Sequence, residues 1–287
     1  MTFTAVPASA EVYTLGEGPV WDAARQRLLW VDIVAGTVYE GRLDTGTGRI
    51  TATGEHVFDG TVGAVAVAAG GELIVAGQAT LIRVGTDGSR TELARVLPEG
   101  VHSRLNDGAV DPAGRFLIGS LAQDDRHGQE VLARLDETGL TTLDTDLVLS
   151  NGLAWVGERL YNVDTVPGTI WVRDYDPDSG RTGPRREAFT ITDGSPDGMC
   201  ADADGNLWIA NWGLGRVECR GTGGELLDVV ETGAPHTSCP VFAGPDLDVL
   251  VITTARTGLA EPGPGDGRLF TAKVGVRGLP VPYWNPC

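Results

Sequence analysis

Pairs of short apolar runs, each pair separated by a turn, recur along the chain at a nearly constant spacing. In the copy at residues 195–211, an apolar run after Gly198 is followed by a polar turn at 202–206 and a second apolar run at 207–210. Asp and Gly tolerate the backbone angles of a tight reversal, so this unit is predicted to be a β-hairpin. An acidic residue, Asp197, stands directly before its first glycine. Segments with helical periodicity are absent from the pattern.

Six such units align on the residue that opens the first apolar run. These residues are Gly18, Gly63, Gly108, Gly152, Gly198 and Cys239, at intervals of 45, 45, 44, 46 and 41 residues. A repeat of about 40–50 residues containing several short strands is typical of a β-propeller. Six copies nearly exhaust the 287 residues. The sequence therefore predicts an all-β fold: one six-bladed β-propeller domain over residues 1–287, with four antiparallel strands per blade.

The segment before the first unit and two long insertions complete this prediction. Residues 11–15 form an apolar, β-prone stretch. We expect this N-terminal strand to supply the outer strand of the last blade and close the ring, which leaves no free edge. The insertions at 122–129 and 256–267 both follow a second strand, and we expect them as loops around the mouth of the central channel.

Charge and composition restrict the class of partner and the compartment. A formal net charge of −17 argues against nucleic acid and against anionic membranes, since both require a basic surface. No apolar stretch reaches about 18 residues, and the N-terminus lacks the features of a secretory signal, so a cytoplasmic protein is expected. The four cysteines, at positions 200, 219, 239 and 287, show no C-x-x-C spacing and are assigned no chemistry. Motifs of serine hydrolases, zinc proteases and nucleotide-binding loops are also missing.

The residues directly before the six aligned positions carry the candidate chemistry. We call these six the head residues: Glu17, Val62, Asp107, Asn151, Asp197 and Ser238. Innermost strands of a propeller run along its channel, so side chains at their ends converge on the axis. Four of the six heads carry carboxylate or carboxamide oxygens, and Asn106 adds another beside Asp107. Crowded oxygens of this kind repel one another unless a hard divalent cation is present. The alternative, that residues of this type before glycine are only turn formers, fits the hairpin residues Asp22, Asp111 and Asp202 better.

At these residues the chain resembles the SMP-30/gluconolactonase/LRE family, six-bladed propellers that include regucalcin and bacterial sugar lactonases. The resemblance covers essentially the whole chain. It is carried by residues 15–21 (Leu-Gly-Glu-Gly-Pro-Val-Trp), 103–116 (Ser-Arg-Leu-Asn-Asp-Gly-Ala-Val-Asp-Pro-Ala-Gly-Arg-Phe), 150–155 (Ser-Asn-Gly-Leu-Ala-Trp), 196–199 (Pro-Asp-Gly-Met) and 244–248 (Gly-Pro-Asp-Leu-Asp).

The resemblance implies a set of site residues and a cofactor. It implies one divalent metal ion, with Ca²⁺ as first choice and Zn²⁺, Mn²⁺ or Mg²⁺ as alternatives, bound by Glu17, Asn151 and Asp197. The catalytic acid/base role falls on Asp197 as well. Substrate-binding roles fall on Arg104 and Asn106, with Asp124 as the nearest match to a further carboxylate. The family's Gly-Thr-Met before that position is Gly-Ser-Leu here, at residues 119–121.

The function that this resemblance implies is hydrolysis of a small-molecule sugar lactone by attack of water on a metal-polarised carbonyl. In one alternative Asp197 directs or deprotonates the attacking water. A metal-bound carboxylate is a weak base, so in the other alternative a metal-bound water with a lowered pKa is the nucleophile. Two other functions stay open at this stage. One is hydrolysis of another ester, a non-sugar lactone or an organophosphate on the same scaffold. The other is a non-enzymatic calcium-binding propeller.

Overall fold

The computed structural model describes residues 1–124 and 126–286. All the secondary-structure elements named in these residues are β-strands. No helix long and apolar enough to cross a membrane occurs in them. Four separate sheets contain four antiparallel strands each. Their strands, in chain order within each sheet, are β3 (Gly16–Asp22), β4 (Arg27–Asp32), β5 (Thr37–Leu43) and β6 (Ile50–Val57); β7 (Ala64–Val67), β8 (Leu73–Ala76), β9 (Thr80–Val84) and β10 (Arg90–Arg95); β11 (Ser103–Val110), β12 (Phe116–Ala122), β13 (Glu130–Asp136) and β14 (Gly139–Leu147); β15 (Ser150–Val156), β16 (Arg159–Asp164), β17 (Thr169–Asp174) and β18 (Arg186–Thr190).

The remaining nine strands form one continuous sheet. In order across the sheet these are β1 (Thr2–Thr4), β22 (Leu226–Glu231), β21 (Arg216–Arg220), β20 (Leu207–Trp212), β23 (His236–Ala243), β24 (Val249–Ala255), β25 (Phe270–Ala272) and β2 (Val6–Pro7). Beside this path, β19 (Ser195–Ala201) pairs with β20. The β-propeller class is therefore confirmed, but the prediction of six blades of four antiparallel strands is wrong. The chain has four separate blades and one nine-stranded sheet.

The junction of β20 with β23 explains why no separate fifth and sixth blades form. Trp212 pairs with His236, and the two rings stack with centroids 4.0 Å apart and an interplanar angle of 13°. The interval of 41 residues between Gly198 and Cys239 is the shortest of the five, so the link before β23 is short. It is held to the end of β20 by a hydrogen bond from the Gly213 amide to the Pro235 oxygen at 2.8 Å. This pairing joins the strands on its two sides into one sheet.

The N-terminal segment has a different role from the predicted one. Its strands β1 and β2 lie at the two opposite edges of the nine-stranded sheet, with Ala5 between them. β1 pairs in parallel with β22, and β2 pairs with β25. The segment therefore brings the two edges of this sheet close together, whereas the prediction placed residues 11–15 as one strand of a last blade.

β-Bulges at the start of the inner strands position the head residues. We call the face where these strands begin the upper face. Register shifts occur between Glu17 and Val20, Leu105 and Gly108, Asn151 and Leu153, Pro196 and Met199, and Thr237 and Cys239. A bulge re-aims the side chain at its extra residue. The pairing of β7, whose head residue is the apolar Val62, shows no such shift. Bulges therefore accompany the five heads that carry oxygen.

The inner strands pack closely around the axis. A Cβ at Gly152 would lie 2.6 Å from the Asp197 backbone oxygen and 2.9 Å from the Met199 nitrogen. Glycine at this position thus allows β15 to approach β19 directly. Away from the axis, clusters of buried apolar residues fill the spaces between neighbouring sheets. Cys200, Cys219 and Cys239 are free thiols, while Cys287 lies outside the described residues.

The C-terminal residues cross the lower face of the ring. We call residues 278–285 the strap. At one end, the Gly278 amide donates to the Leu247 oxygen at 2.9 Å, beside the nine-stranded sheet. At the other end, the Trp284 amide donates to the Val67 oxygen at 2.8 Å, at the end of β7. The strap therefore spans the lower mouth of the channel and is fixed on both sides.

Candidate functional site

The upper ends of four inner strands bring the polar heads together at the axis. Glu17 is on β3, Asp107 on β11, Asn151 on β15 and Asp197 on β19, and each is at most 9% exposed. Asn106, next to Asp107, is 6% exposed. Residues separated in sequence by one or two repeats thus share one buried polar site, as the alignment of the heads predicts.

Asn151 and Asp197 are in direct contact across two neighbouring inner strands. The side-chain amide of Asn151 donates to Asp197 Oδ1 and, at 3.1 Å, to the hydroxyl of Thr165. Thr165 in turn donates to the Pro196 backbone oxygen at 2.8 Å. The Asn151 amide oxygen is buried and has no hydrogen-bond partner. A buried unpaired oxygen is unfavourable, so this atom is a candidate ligand for a bound group.

Burial disfavours ionisation of all three carboxylates in the site, and neighbouring negative charge adds to this effect at Glu17 and Asp197. Burial, followed by the negative charges of Asp197 and Asp107, raises the pKa of Glu17 well above its usual range. Burial and the charge of Asp107 raise the pKa of Asp197 in the same way, although the hydrogen bond from Asn151 opposes this. Burial raises the pKa of Asp107 to about 6, despite a 2.8 Å hydrogen bond from the Gly108 amide. The site therefore has unbalanced negative charge.

Arg104 is the cation that acts on this cluster. Burial lowers the pKa of its guanidinium to about 10, while Glu17 and Asp197 act in the opposite direction. Its Nη1 donates to Asn106 Oδ1 at 2.8 Å and to the Leu105 oxygen at 3.0 Å. The Asn106 amide nitrogen donates to the Ser150 oxygen at 3.0 Å. Both ends of the Asn106 amide are therefore fixed, and this amide holds Arg104 beside the carboxylates.

Asp124 is not brought into this cluster. Its carboxylate pairs with Arg126 at 2.8 Å, and its side chain is 38% exposed on the loop after β12. Hydrogen bonds from Arg126 lower the pKa of Asp124, and neither Glu17 nor Arg104 is among the charges that act on it. Arg126 also donates to the Ser103 hydroxyl at 3.0 Å. Position 125, in the same predicted loop, lies outside the described residues.

The donor set fits a hard divalent cation. Glu17, Asn151 and Asp197 offer two carboxylates and one amide oxygen, the ligand types that Ca²⁺ and Mg²⁺ take. The unpartnered Asn151 oxygen supports this fit, as do three carboxylates opposed by a single guanidinium. Within residues 1–124 and 126–286, no three His, Cys, Asp or Glu side chains are grouped closely enough to chelate a metal by themselves. An amide ligand is therefore needed to complete the set.

Asp107 is the aligned head with a carboxylate to which the resemblance assigns no metal-binding or substrate-binding role. It occupies the same aligned position as Glu17 and Asp197, and this position was the available signal. In the same motif, the resemblance assigns substrate-binding roles to Arg104 and Asn106. The repulsion that Asp107 exerts on both Glu17 and Asp197 could be recognised only once the strands were in place.

Comparison with known proteins places this geometry in a family. The model of the SMP-30/gluconolactonase/LRE-like region matches residues 15–256. A pentonolactonase from Haloferax volcanii is 34% identical, with 93% of each chain covered. A 6-deoxy-6-sulfogluconolactonase from Pseudomonas putida is 33% identical, with 94% of each chain covered.

A solved structure shares the fold over the full length. The regucalcin of Agrobacterium tumefaciens, described as a calcium-binding protein, superposes with a TM-score of 0.90 at 26% identity. The comparison covers 100% of this chain and 99% of the other. The motifs, the family match and the full-length relatives agree with one another. The chain therefore belongs to the SMP-30/gluconolactonase/LRE-like family.

Proposed function

We propose that this protein hydrolyses the ester bond of a sugar lactone, with a divalent metal ion bound by Glu17, Asn151 and Asp197. The observation that carries the proposal is the meeting of these three oxygen-bearing side chains, from separate inner strands, beside Arg104. Two relatives that cover more than nine-tenths of the chain are named as lactonases of sugar acids, which supports this substrate class. When bound, the ion would polarise the lactone carbonyl and stabilise the negative charge on its oxygen.

Asp197 is proposed as the catalytic base. Water attacks the carbonyl carbon while Asp197 accepts one of its protons. The ring C–O bond then breaks, and the proton is returned to the departing ring oxygen, which leaves an open-chain hydroxy acid. The hydrogen bond from the Asn151 amide to Asp197 Oδ1 orients the carboxylate for this role.

Arg104 and Asn106 are proposed to orient the sugar. Both hydrogen bonds given above for Arg104 use Nη1, so Nη2 and Nε are available for substrate oxygens. The Asn106 amide fixes this guanidinium, so little side-chain freedom is lost when substrate binds. Asp124 is proposed as a further substrate contact. It would reach the sugar only if its pair with Arg126 opens.

The test is a ring-opening assay with gluconolactone and several pentonolactones, followed by proton release. We expect activity that is lost on chelation, restored by Ca²⁺, Mg²⁺, Mn²⁺ or Zn²⁺, and lowered at least about 100-fold in Asp197→Asn. The matched control is Asp204→Asn, which removes the same charge from an exposed position in the hairpin that follows β19. It should leave the rate unchanged.

Three outcomes would exclude the proposal as stated. Activity that survives both chelation and Asp197→Asn would show that neither the metal ion nor the Asp197 carboxylate is needed for hydrolysis. Hydrolysis of simple aryl esters or organophosphates with no activity on any sugar lactone would favour the alternative hydrolase. Tight Ca²⁺ binding without hydrolysis of any of these compounds would favour a non-enzymatic cation-binding role.

A further inference from the structure

Below the acidic heads, the channel widens into a chamber of about 560 Å³. Gly18, Asp107 and Cys239 lie at its upper end, and residues 279–282 of the strap lie at its lower end. Its walls are the lower halves of the inner strands. None of the side chains proposed to bind the metal or the lactone lines the chamber, and Asp107 is the member of the acidic cluster that does.

The walls of this chamber are apolar. The inner strands contribute aliphatic and aromatic side chains, among them Val65, Leu153, Met199 and Phe242. Among the described residues that line it, Asp107 is the one with a charged side chain. A polar ligand would exchange its hydrogen bonds with water for contacts with hydrocarbon, which is unfavourable. An anion would also be repelled by Asp107 and by the carboxylates above it. The walls thus favour a neutral, apolar occupant.

The strap covers part of the lower mouth of the chamber and leaves the rest open to solvent. Pro280 and Pro282 have no amide hydrogen, so the strap crosses the mouth with few donors that need partners. Between them, Val281 lines the chamber. Both ends of the strap are anchored, and Trp284 is 1% exposed. Water gains few hydrogen bonds in an apolar space of this kind, so water is a poor occupant.

We propose that this chamber is a second binding site, which takes one neutral, apolar small molecule from the lower face. Its volume falls within the range of about 300–1,000 Å³ typical of small-molecule sites, and its walls are preformed by strands. The bound molecule contacts the lower inner strands and the strap. Neither the lactone nor the metal is required for it to bind.

A matched pair of fluorescent probes tests this proposal. N-phenyl-1-naphthylamine is neutral, and 8-anilinonaphthalene-1-sulfonate carries the same ring system with one negative charge. We expect saturable binding of one neutral probe per chain, and at least about tenfold weaker binding of the anionic probe. Gluconolactone and Ca²⁺ should not displace the neutral probe. Displacement by either, equal binding of both probes, or no saturable binding would overturn the proposal.

Substitutions locate the bound probe. Ala154 is 4% exposed and lines the chamber, so Ala154→Phe should fill part of the space and weaken binding of the neutral probe at least about tenfold. Ala66→Leu adds a smaller side chain to the same space. It replaces Ala154→Phe in the binding measurement if that variant fails to fold. The control Ala10→Phe places the same ring on the surface and should bind normally. Unchanged affinity in a folded, filled variant would show that the probe binds elsewhere. Since binding is measured without turnover, failure of the lactonase proposal would not affect this result.

Discussion

The side-chain amide of Gln78 donates a hydrogen bond to the backbone oxygen of Ser103 at 3.1 Å, which links the loop after β8 to the start of β11. The same nitrogen donates to Gln123 Oε1 at 2.9 Å, and Gln78 Oε1 accepts from the Thr61 hydroxyl at 2.6 Å. Gln78 thus joins the sheet whose head residue is apolar to the strand that carries Arg104, and to the loop after β12.

Gln78→Ala should therefore weaken substrate binding more than the chemical step. The substitution removes all three side-chain hydrogen bonds of Gln78. For a net effect on substrate binding of about 1 kcal/mol, we expect KM for a sugar lactone to rise about fivefold with kcat nearly unchanged. Steady-state kinetics checks this. Thr61→Val removes the bond to Oε1 but leaves both donors of Gln78, and it should change KM less. An equal loss of kcat in the two variants would assign Gln78 a general structural role.

Asn151 should contribute directly to metal affinity. Its amide oxygen is buried and unpartnered, and its nitrogen orients Asp197. We expect Asn151→Ala to weaken Ca²⁺ binding at least about tenfold in calorimetric titrations, because one ligand is lost and a second is less well held. Asn151→Asp keeps an oxygen ligand and should bind nearly as well as wild type. As a control, Asn206→Ala changes an Asn in the hairpin on the lower face. Equal Ca²⁺ affinity in Asn151→Ala and wild type would remove Asn151 from the ligand set.

Gly152→Ala should destabilise the fold through a backbone clash. The new Cβ would lie 2.6 Å from the Asp197 oxygen, so β15 and β19 would have to separate. Overpacking of this kind costs about 1–3 kcal/mol of the free energy of unfolding, measured by urea denaturation. The control is Gly54→Ala in β6, where no atom lies within 4 Å of the new Cβ. A similar free energy of unfolding in the two variants would contradict the close approach of the inner strands.

The Asp22 carboxylate should make stability sensitive to acid. Burial alone would raise its pKa, but hydrogen bonds from Arg27, Tyr283 and Arg25 outweigh this and lower the pKa below 3.8. A group with a depressed folded-state pKa stabilises the fold above its unfolded pKa, and this contribution is lost as pH falls through the folded value. We therefore expect wild type to lose stability below a pH of about 4, with Asp22→Asn less stable at pH 7 but less dependent on pH in this range.

Denaturant titrations from pH 7 to pH 3 measure this dependence. Asp204→Asn, in the corresponding hairpin of β19 and β20, is the control and should follow the wild-type curve. If the free energy of unfolding falls equally steeply with decreasing pH in Asp22→Asn and in wild type, other carboxylates cause the loss of stability in acid.

Local pattern was sufficient to predict the hairpins and the aligned heads. The apolar run after the 202–206 turn is β20. The backbone amide of Asn206 donates to Asp202 Oδ1 at 2.8 Å, as expected for a turn that begins with Asp. Head residues one repeat apart converge because each begins an equivalent inner strand. Both properties depend on sequence spacing alone, so both can be recognised without coordinates.

Sheet continuity and the surroundings of Asp124 could not be predicted in this way. The pairing of Trp212 with His236 joins two repeats through one tertiary contact, and no periodicity encodes it. β1 and β2 pair with strands more than 200 positions away. Asp124 has the right residue type at nearly the right position, but the competing charge of Arg126 two residues later decides its partner.

The pairing of β1 with β22 and of β2 with β25 also has a consequence for biosynthesis. Synthesis proceeds from the N-terminal side, so residues 2–7 are made before their partner strands, which end at Glu231 and Ala272. The segment therefore stays unpaired until those strands have been made. Contacts between such distant positions form slowly because a long loop must be closed first. A nascent chain stalled before residue 226 would therefore leave both N-terminal strands without partners.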